Sequence, residues 1–213
     1  MADRTAGDLA IVLHSHMPYV EGYGTYPFGE EWLFEAFARS HLPVLDVAER
    51  LTMTITPVLA DQLEAEGVGE RMLAFLGEHR VEAATRDAAE SEAELRPAAE
   101  ACVGLYASAI ERLERLEEQP LRAFQEAADD GRVVLIPSAA THAVLPKLAT
   151  EAGRRLQIDA GLRSHERRFG AAAEGFWLPE CAYVPGLESV LAERGLAYTC
   201  LDQSAHEPDG ATT

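Results

Sequence analysis

The 213-residue chain carries 36 acidic residues against 18 Lys and Arg, a formal charge of −18, so it would repel a nucleic-acid backbone or an anionic membrane surface. A hydrophobic fraction of 47% over this length suffices for one substantial core or part of a larger barrel, which excludes a disordered chain. Cys102, Cys181 and Cys200 are widely spaced with no CxxC pattern, so they read as buried free thiols rather than a disulfide framework or a zinc knuckle. The start of the chain, Met1 to Thr5, is polar, and the apolar run after it is too short for a signal-peptide core or a membrane span. A cytoplasmic protein is expected.

Leu9 to Leu13 is an apolar run of strand length, expected to be an interior parallel strand covered on both faces. It ends at His14-Ser15-His16, where alternation puts the two imidazoles on one face. Three roles fit such a pair: metal ligands, donors to a polar substrate, or histidines satisfied in a core. No neighbouring residue completes a metal-ligand spacing, so no metal is assigned. Tyr23 to Gly29 reads as a loop, and Glu30 to Phe37 as a helix with acids in its first turn, interrupted by Pro43. Trp32 on that helix is either a sugar-stacking platform or a core anchor. Leu51 to Leu59, rich in β-branched residues and running into Pro57, is expected to be a second strand, with Asp61 as the cap of the next helix.

From Glu70 to Asp130 the chain is helical in character, a long insertion between strands, with Val103, Tyr106, Ile110 and Leu113 on one buried face. The mixed charges of Arg80 to Leu95 read as a solvated face. Val133 to Pro137 is a third strand that leads to His142. Glu151 to Phe169 is a helix by composition, weakened by Gly153 and Gly161. Ala173 to Leu178 is a fourth strand that stops at Pro179 and presents Glu180, read either as a site carboxylate or as the N-terminal acid of the following helix. Pro185 to Arg194 is that helix, closed by Gly195, and Leu196 to Leu201 is a fifth strand.

Strand, polar loop and helix recur, the pattern of a parallel barrel or doubly wound sheet, in which the carboxyl ends of strands meet at one mouth. His14, His16, His142 and Glu180 all follow strands, and this convergence favours a site. A carboxylate among imidazoles and aromatic rings suits a polyhydroxylated substrate.

Five segments, in order, resemble glycoside hydrolase family 57, and within it the 1,4-alpha-glucan branching enzymes. They are His14-Ser15-His16-Met17-Pro18-Tyr19-Val20, Gly29-Glu30-Glu31-Trp32-Leu33, the stretch Thr56 to Leu63, Ala139-Ala140-Thr141-His142, and Phe176-Trp177-Leu178-Pro179-Glu180-Cys181-Ala182-Tyr183. The resemblance implies an α/β fold, an incomplete (β/α)7 barrel formed by residues 1–213 with a helical insertion at about 70–130. It implies Glu180 as the nucleophile of a retaining glycosyl transfer, with His14, His16, His142, Trp32 and Trp177 binding an alpha-glucan and no cofactor. The acid/base Asp of the family, and its closing helical domain, lie downstream of Thr213; Asp202 and Asp209 match no acid/base motif. The chain is therefore expected to be the amino-terminal part of a catalytic domain, inactive alone. Three other readings stay open: a carbohydrate-binding remnant without catalysis, an amylase or 4-alpha-glucanotransferase of the same family, and a metal-dependent hydrolase or deacetylase built on the three histidines.

Overall fold

A computed structural model describes residues 9–25, 29–170 and 172–202. Asp209, the start of the chain and Tyr26-Pro27-Phe28 of the expected loop lie outside these residues. The described residues fall into two compact units, one drawn from Met17–Ala48 and Val58–Asp130, the other from Met1–His16, Glu49–Pro57 and Gly131–Thr213.

The first unit is helical. Helix α1 (Glu30–Ala36) continues through a π-helical turn (Phe37–His41) into α2 (Leu42–Val47), so Pro43 does not interrupt the helix. The Leu42 N–H reaches back to Phe37 O across the widened turn, and the proline falls just beyond, in the first turn of α2, where its missing N–H is tolerated. Leu33, Phe34 and Phe37 are wholly buried, whereas Trp32 is 45% exposed and so is not a core anchor. Neither first-turn acid is a simple dipole partner: Glu30 is buried and bound through both oxygens by Arg71 at 2.6–3.1 Å, and Glu31 accepts the Gly29 N–H at 2.9 Å.

Helix α3 (Pro57–Leu63) starts at the proline itself, a favoured first helical residue, so the second strand ends at Ile55 and does not run to Leu59, and Asp61 falls in the body of the helix and not at a cap. The buried Gln62 accepts the Val20 N–H at 2.7 Å and donates to Pro18 O at 3.1 Å, fixing the chain that follows His16. The run continues as α4 (Val68–Phe75), a second π-helical turn (Leu76–Val81), α5 (Glu82–Glu90), α6 (Arg96–Arg115) and α7 (Arg122–Asp129). Tyr106 and Leu113 are buried and Val103 and Ile110 half-buried, as their spacing predicts. Most of Arg80 to Leu95 is solvated, though Arg80 pairs with Glu35 and lies 5.0 Å over the Phe75 ring. Cys102 sits on the open face of α6 and is exposed, contrary to the expected burial; Cys181 and Cys200 are half-buried, and all three are free.

The second unit holds the strands. β1 (Val12–Ser15), β2 (Leu51–Ile55) and β3 (Val133–Ile136) form a parallel sheet in that order, with His14 opposite Thr54 and Thr54 opposite Ile136. β4 (Gly175–Trp177) and β5 (Tyr198–Cys200) form a second parallel pair. A parallel bridge from Ser138 to Trp177 links the two ladders: the Trp177 N–H donates to Pro137 O at 2.8 Å and the Ser138 hydroxyl to Trp177 O at 3.0 Å. β1 is not the interior strand that its apolar run suggests. It starts later, pairs only with β2 among the described residues, and leaves Leu9 88% and Ile11 48% exposed.

Helix α8 (Glu151–Phe169) has the predicted bounds, capped by the Thr150 side chain on the Gly153 N–H at 3.1 Å and ended by left-handed Gly170. Its internal glycine has a packing reason. A Cβ on Gly161 would lie 2.1 Å from Ser138 O, so only glycine lets α8 come this close to the turn after β3. Helix α9 (Leu187–Ala192) follows, and Ile158, Phe176, Leu178, Leu187 and Leu191 pack into one buried cluster. The result is an α/β fold of parallel strands and helices. Among the described residues no helix is long and apolar enough to cross a membrane.

Candidate active site

The side chains that follow β1, β3 and β4 meet in the second unit. β1 carries His14, and His16 follows two residues later on the same face, their rings 6.2 Å apart and 20° from parallel. The turn after β3 brings His142 between them, stacked on His16 at 3.8 Å and with its Nε2 3.1 Å from His14 Nε2, those two rings 5.1 Å apart and 24° from parallel. β4 contributes Trp177, whose indole lies 4.5 Å from His14 at 11°. Its Nε1 is buried with no protein hydrogen-bond partner. Glu180 stands just past β4, Oε1 3.8 Å from His142 Nδ1, with its side chain 68% exposed. Helix α9 begins only at Leu187, so Glu180 is not the N-terminal acid of that helix.

Two residues of the cluster have left-handed backbone, His142 at φ 54° and Glu180 at φ 59°, and Cys181 follows at φ 52°. Such conformations cost on the order of 1–3 kcal/mol each for non-glycine residues and need a surrounding structure that enforces them. For His142 the enforcement is its own N–H on Ala139 O at 3.0 Å and the Gln157 side chain on the Thr141 N–H at 2.9 Å. At Glu180 it is the Cys181 N–H on Leu178 O at 2.8 Å, beside fully buried Leu178.

Stacking shields the rings from water in part, though His14 stays exposed, and shifts their charge equilibria. His14 is lowered to about 4, first by desolvation and then by His142 and His16. His16 is lowered to about 4 by desolvation and by His142, against an opposing pull from Glu180. His142 moves down for the same reason, again opposed by Glu180. The imidazoles are therefore neutral at pH 7, each with one N–H to donate and one lone pair to accept, beside an open carboxylate. That combination suits hydroxyl recognition together with nucleophilic or base chemistry at Glu180. Among the described residues no three His, Cys, Asp or Glu side chains are placed to hold a metal ion.

Of the residues expected in the site, His14, His16, His142, Trp177 and Glu180 come together; Trp32 lies exposed on α1 of the helical unit. Sequence reasoning missed Thr54 and Thr56. Both are wholly buried, with Thr54 Oγ1 2.6 Å from His14 Nδ1 and Thr56 Oγ1 3.1 Å from His16 Nδ1. The alternation of Thr52, Thr54 and Thr56 is visible in the sequence, but the pairing with the histidine strand that gives it meaning is not.

Comparison with known proteins supplies a family frame. The family model described as Glycosyl hydrolase family 57 matches residues 10–211. The chain is 33% identical over 216 residues to a 1,4-alpha-glucan branching enzyme of Thermococcus kodakarensis, covering 90% of this chain and 32% of that enzyme, so it spans about a third of that relative's length. The crystal structure of a GH57-type branching enzyme from Pyrococcus horikoshii superposes with a TM-score of 0.81 at 33% identity, over 89% of this chain and 41% of that one. That of the alpha-amylase AmyC from Thermotoga maritima gives 0.80 at 27% identity, over 89% and 38%.

Proposed function

The chain belongs to glycosyl hydrolase family 57, and from that membership we propose that it carries the donor-sugar and nucleophile portion of a 1,4-alpha-glucan branching enzyme. On this reading residues 1–213 are the amino-terminal part of an incomplete (β/α)7 barrel, with the helices of about 70–130 as an insertion, acting in the cytoplasm on glycogen- or amylose-type glucan. The supporting observation is the approach of the exposed Glu180 carboxylate to His142 at 3.8 Å, in a stack of neutral imidazoles at the carboxyl ends of parallel strands.

In the retaining reaction a Glu180 carboxylate oxygen attacks the anomeric carbon of the donor glucan. The glycosidic bond breaks as the new ester bond forms, and the departing oxygen takes a proton from a second carboxylic acid about 5–5.5 Å away. A glucan 6-hydroxyl, giving its proton to that second carboxylate, then displaces Glu180 and restores the original configuration. His14, His16 and His142 hold sugar hydroxyls, while Trp177 and Trp32 give apolar faces to the rings. No described residue matches the proton-donating Asp of the family pattern, so the 213-residue chain alone is proposed to form no branches.

The test incubates the chain with amylose, alone and with the downstream polypeptide of a family branching enzyme, and counts new 1,6-linkages by proton NMR. Branching on complementation that disappears in Glu180→Gln, with glucan binding retained, supports the proposal. Near-normal transfer by Glu180→Gln sinks it. The likeness to an alpha-amylase supports a second reading, in which water replaces the 6-hydroxyl; reducing ends would then appear without branches. Glucan binding without turnover under complementation would instead mark a non-catalytic carbohydrate-binding protein.

A further inference from the structure

We propose that Thr54 is a positioning residue that fixes the protons of a chain running Thr54, His14, His142, Glu180, so that His142 presents Nδ1–H to the carboxylate. The functional value of this arrangement rests on Glu180 being the nucleophile; the proton pattern itself does not.

The direction of the chain follows from one buried hydroxyl. Thr54 is 0% exposed, and its Oγ1 accepts the Ser15 N–H at 3.2 Å while standing 2.6 Å from His14 Nδ1. A hydroxyl has one hydrogen, and burying it without an acceptor is costly. The acceptor here is His14 Nδ1. His14 then carries its proton on Nε2, which lies 3.1 Å from His142 Nε2 and donates to it. With Nε2 accepting, neutral His142 holds its proton on Nδ1, the atom 3.8 Å from Glu180 Oε1.

The reverse pattern fails at both ends. A proton on His14 Nδ1 would leave the Thr54 hydrogen without this acceptor, and it would turn the Nδ1 lone pair of His142 toward a carboxylate oxygen. Both ends therefore choose the same tautomers. The separation of 3.8 Å is longer than a hydrogen bond, as catalytic contacts often are before substrate enters, so in the free protein the N–H orients the carboxylate without locking it. Ring stacking keeps the chain in plane: Trp177 covers His14 and His16 covers His142. His16 is not fixed in the same way, because Thr56 has further interactions of its own.

The experiment is ring 15N NMR of the full chain labelled at histidine, at pH 7.5 and without substrate, in wild type, Thr54→Val and Thr54→Ser. Wild type is expected to show His14 as the Nε2–H form and His142 as the Nδ1–H form, the minor tautomer of free histidine. In Thr54→Val, with only the Glu180 end left to select it, the His142 Nδ1–H form loses population to Nε2–H, and Thr54→Ser, which keeps the hydroxyl, restores it. In the complemented enzyme the valine variant should lose about five- to tenfold in kcat, the scale of one hydrogen bond, with KM for glucan little changed. A wild-type His14 protonated on Nδ1, or a His142 tautomer unmoved in Thr54→Val, overturns the proposal. If the valine variant does not fold, the wild-type and serine spectra still decide it, since both must show the predicted pair of tautomers. Correct tautomers with no Glu180-dependent transfer would overturn the functional reading and leave this one standing.

Discussion

Gly161→Ala tests whether α8 is held against the site by a contact that only glycine permits. In an ordinary helix interior this substitution gains about 0.8–1 kcal/mol, since alanine loses less conformational freedom. Here the new methyl would lie 2.1 Å from the backbone oxygen of Ser138, and a backbone atom cannot swing aside as a side chain can. Forced overpacking of this kind costs about 1–3 kcal/mol, and the close backbone contact places this site at the upper end. Net of the helix gain, the variant should lose about 1–2 kcal/mol, roughly 2–8 °C in Tm for a protein of this size. The helix must move away from the turn, which also strains the Ala140 N–H on Gln157 O at 3.0 Å and loosens His142. Gly104→Ala is the control, because α6 leaves that position with no atom within 4 Å of the new methyl. It should stabilise the protein by up to about 1 kcal/mol. Urea denaturation followed by circular dichroism reads both variants, and equal stabilisation by the two substitutions would refute the reasoning.

His14, His16, His41 and His165 are each lowered to about 4, so in this range the unfolded chain binds more protons than the folded one; stability should be flat above about pH 6.5 and fall as pH drops toward 4, as read from urea midpoints. His41→Phe should flatten part of that slope, because the ring is buried edge-on to Phe124 with Nδ1 unpartnered. Alanine at His14, His16 or His142 should weaken glycosyl transfer in the complemented enzyme by roughly 1–3 kcal/mol without releasing metal. Stoichiometric zinc in the wild type, lost on substitution, would instead favour the metal-dependent reading. Arg71→Met should cost about 2–4 kcal/mol in urea denaturation, because it leaves the buried Glu30 carboxylate without its two-oxygen partner; an unchanged midpoint would contradict the pairing.

What could be read from the residues followed the range of the forces involved. Glu151 to Phe169 matched its predicted bounds and the strand expected over Val133 to Pro137 ended one residue early at Ile136, because apolar run length and capping residues act within a few positions of themselves. The same local logic failed where a neighbour distant in sequence decides. Nothing within Leu9 to Leu13 says that only one side of the strand finds a partner, and nothing near Pro43 says that a widened turn will accommodate it. Gly161 counted against a helix on propensity and turned out to be what allows that helix its position. In the site, His14 and His16 were legible from alternation and Glu180 from the strand stop before it. Thr54 was not, since threonine at a strand interior is common and its role appears only once the registers of β1 and β2 are known.

The left-handed backbone at His142 and Glu180 sets sequence preference against chemistry. Glycine or asparagine fits those two torsions better than the resident side chains do, so at both positions the substitution that relieves the backbone also removes the functional group. A library of this protein selected for heat resistance alone would be drawn toward glycine or asparagine at 142 and 180, and on the proposed function it would lose glucan transfer while its melting temperature rose. Directed evolution toward robustness must therefore hold these two codons fixed, and two related chains that differ at them are expected to differ in stability in the direction opposite to their activity.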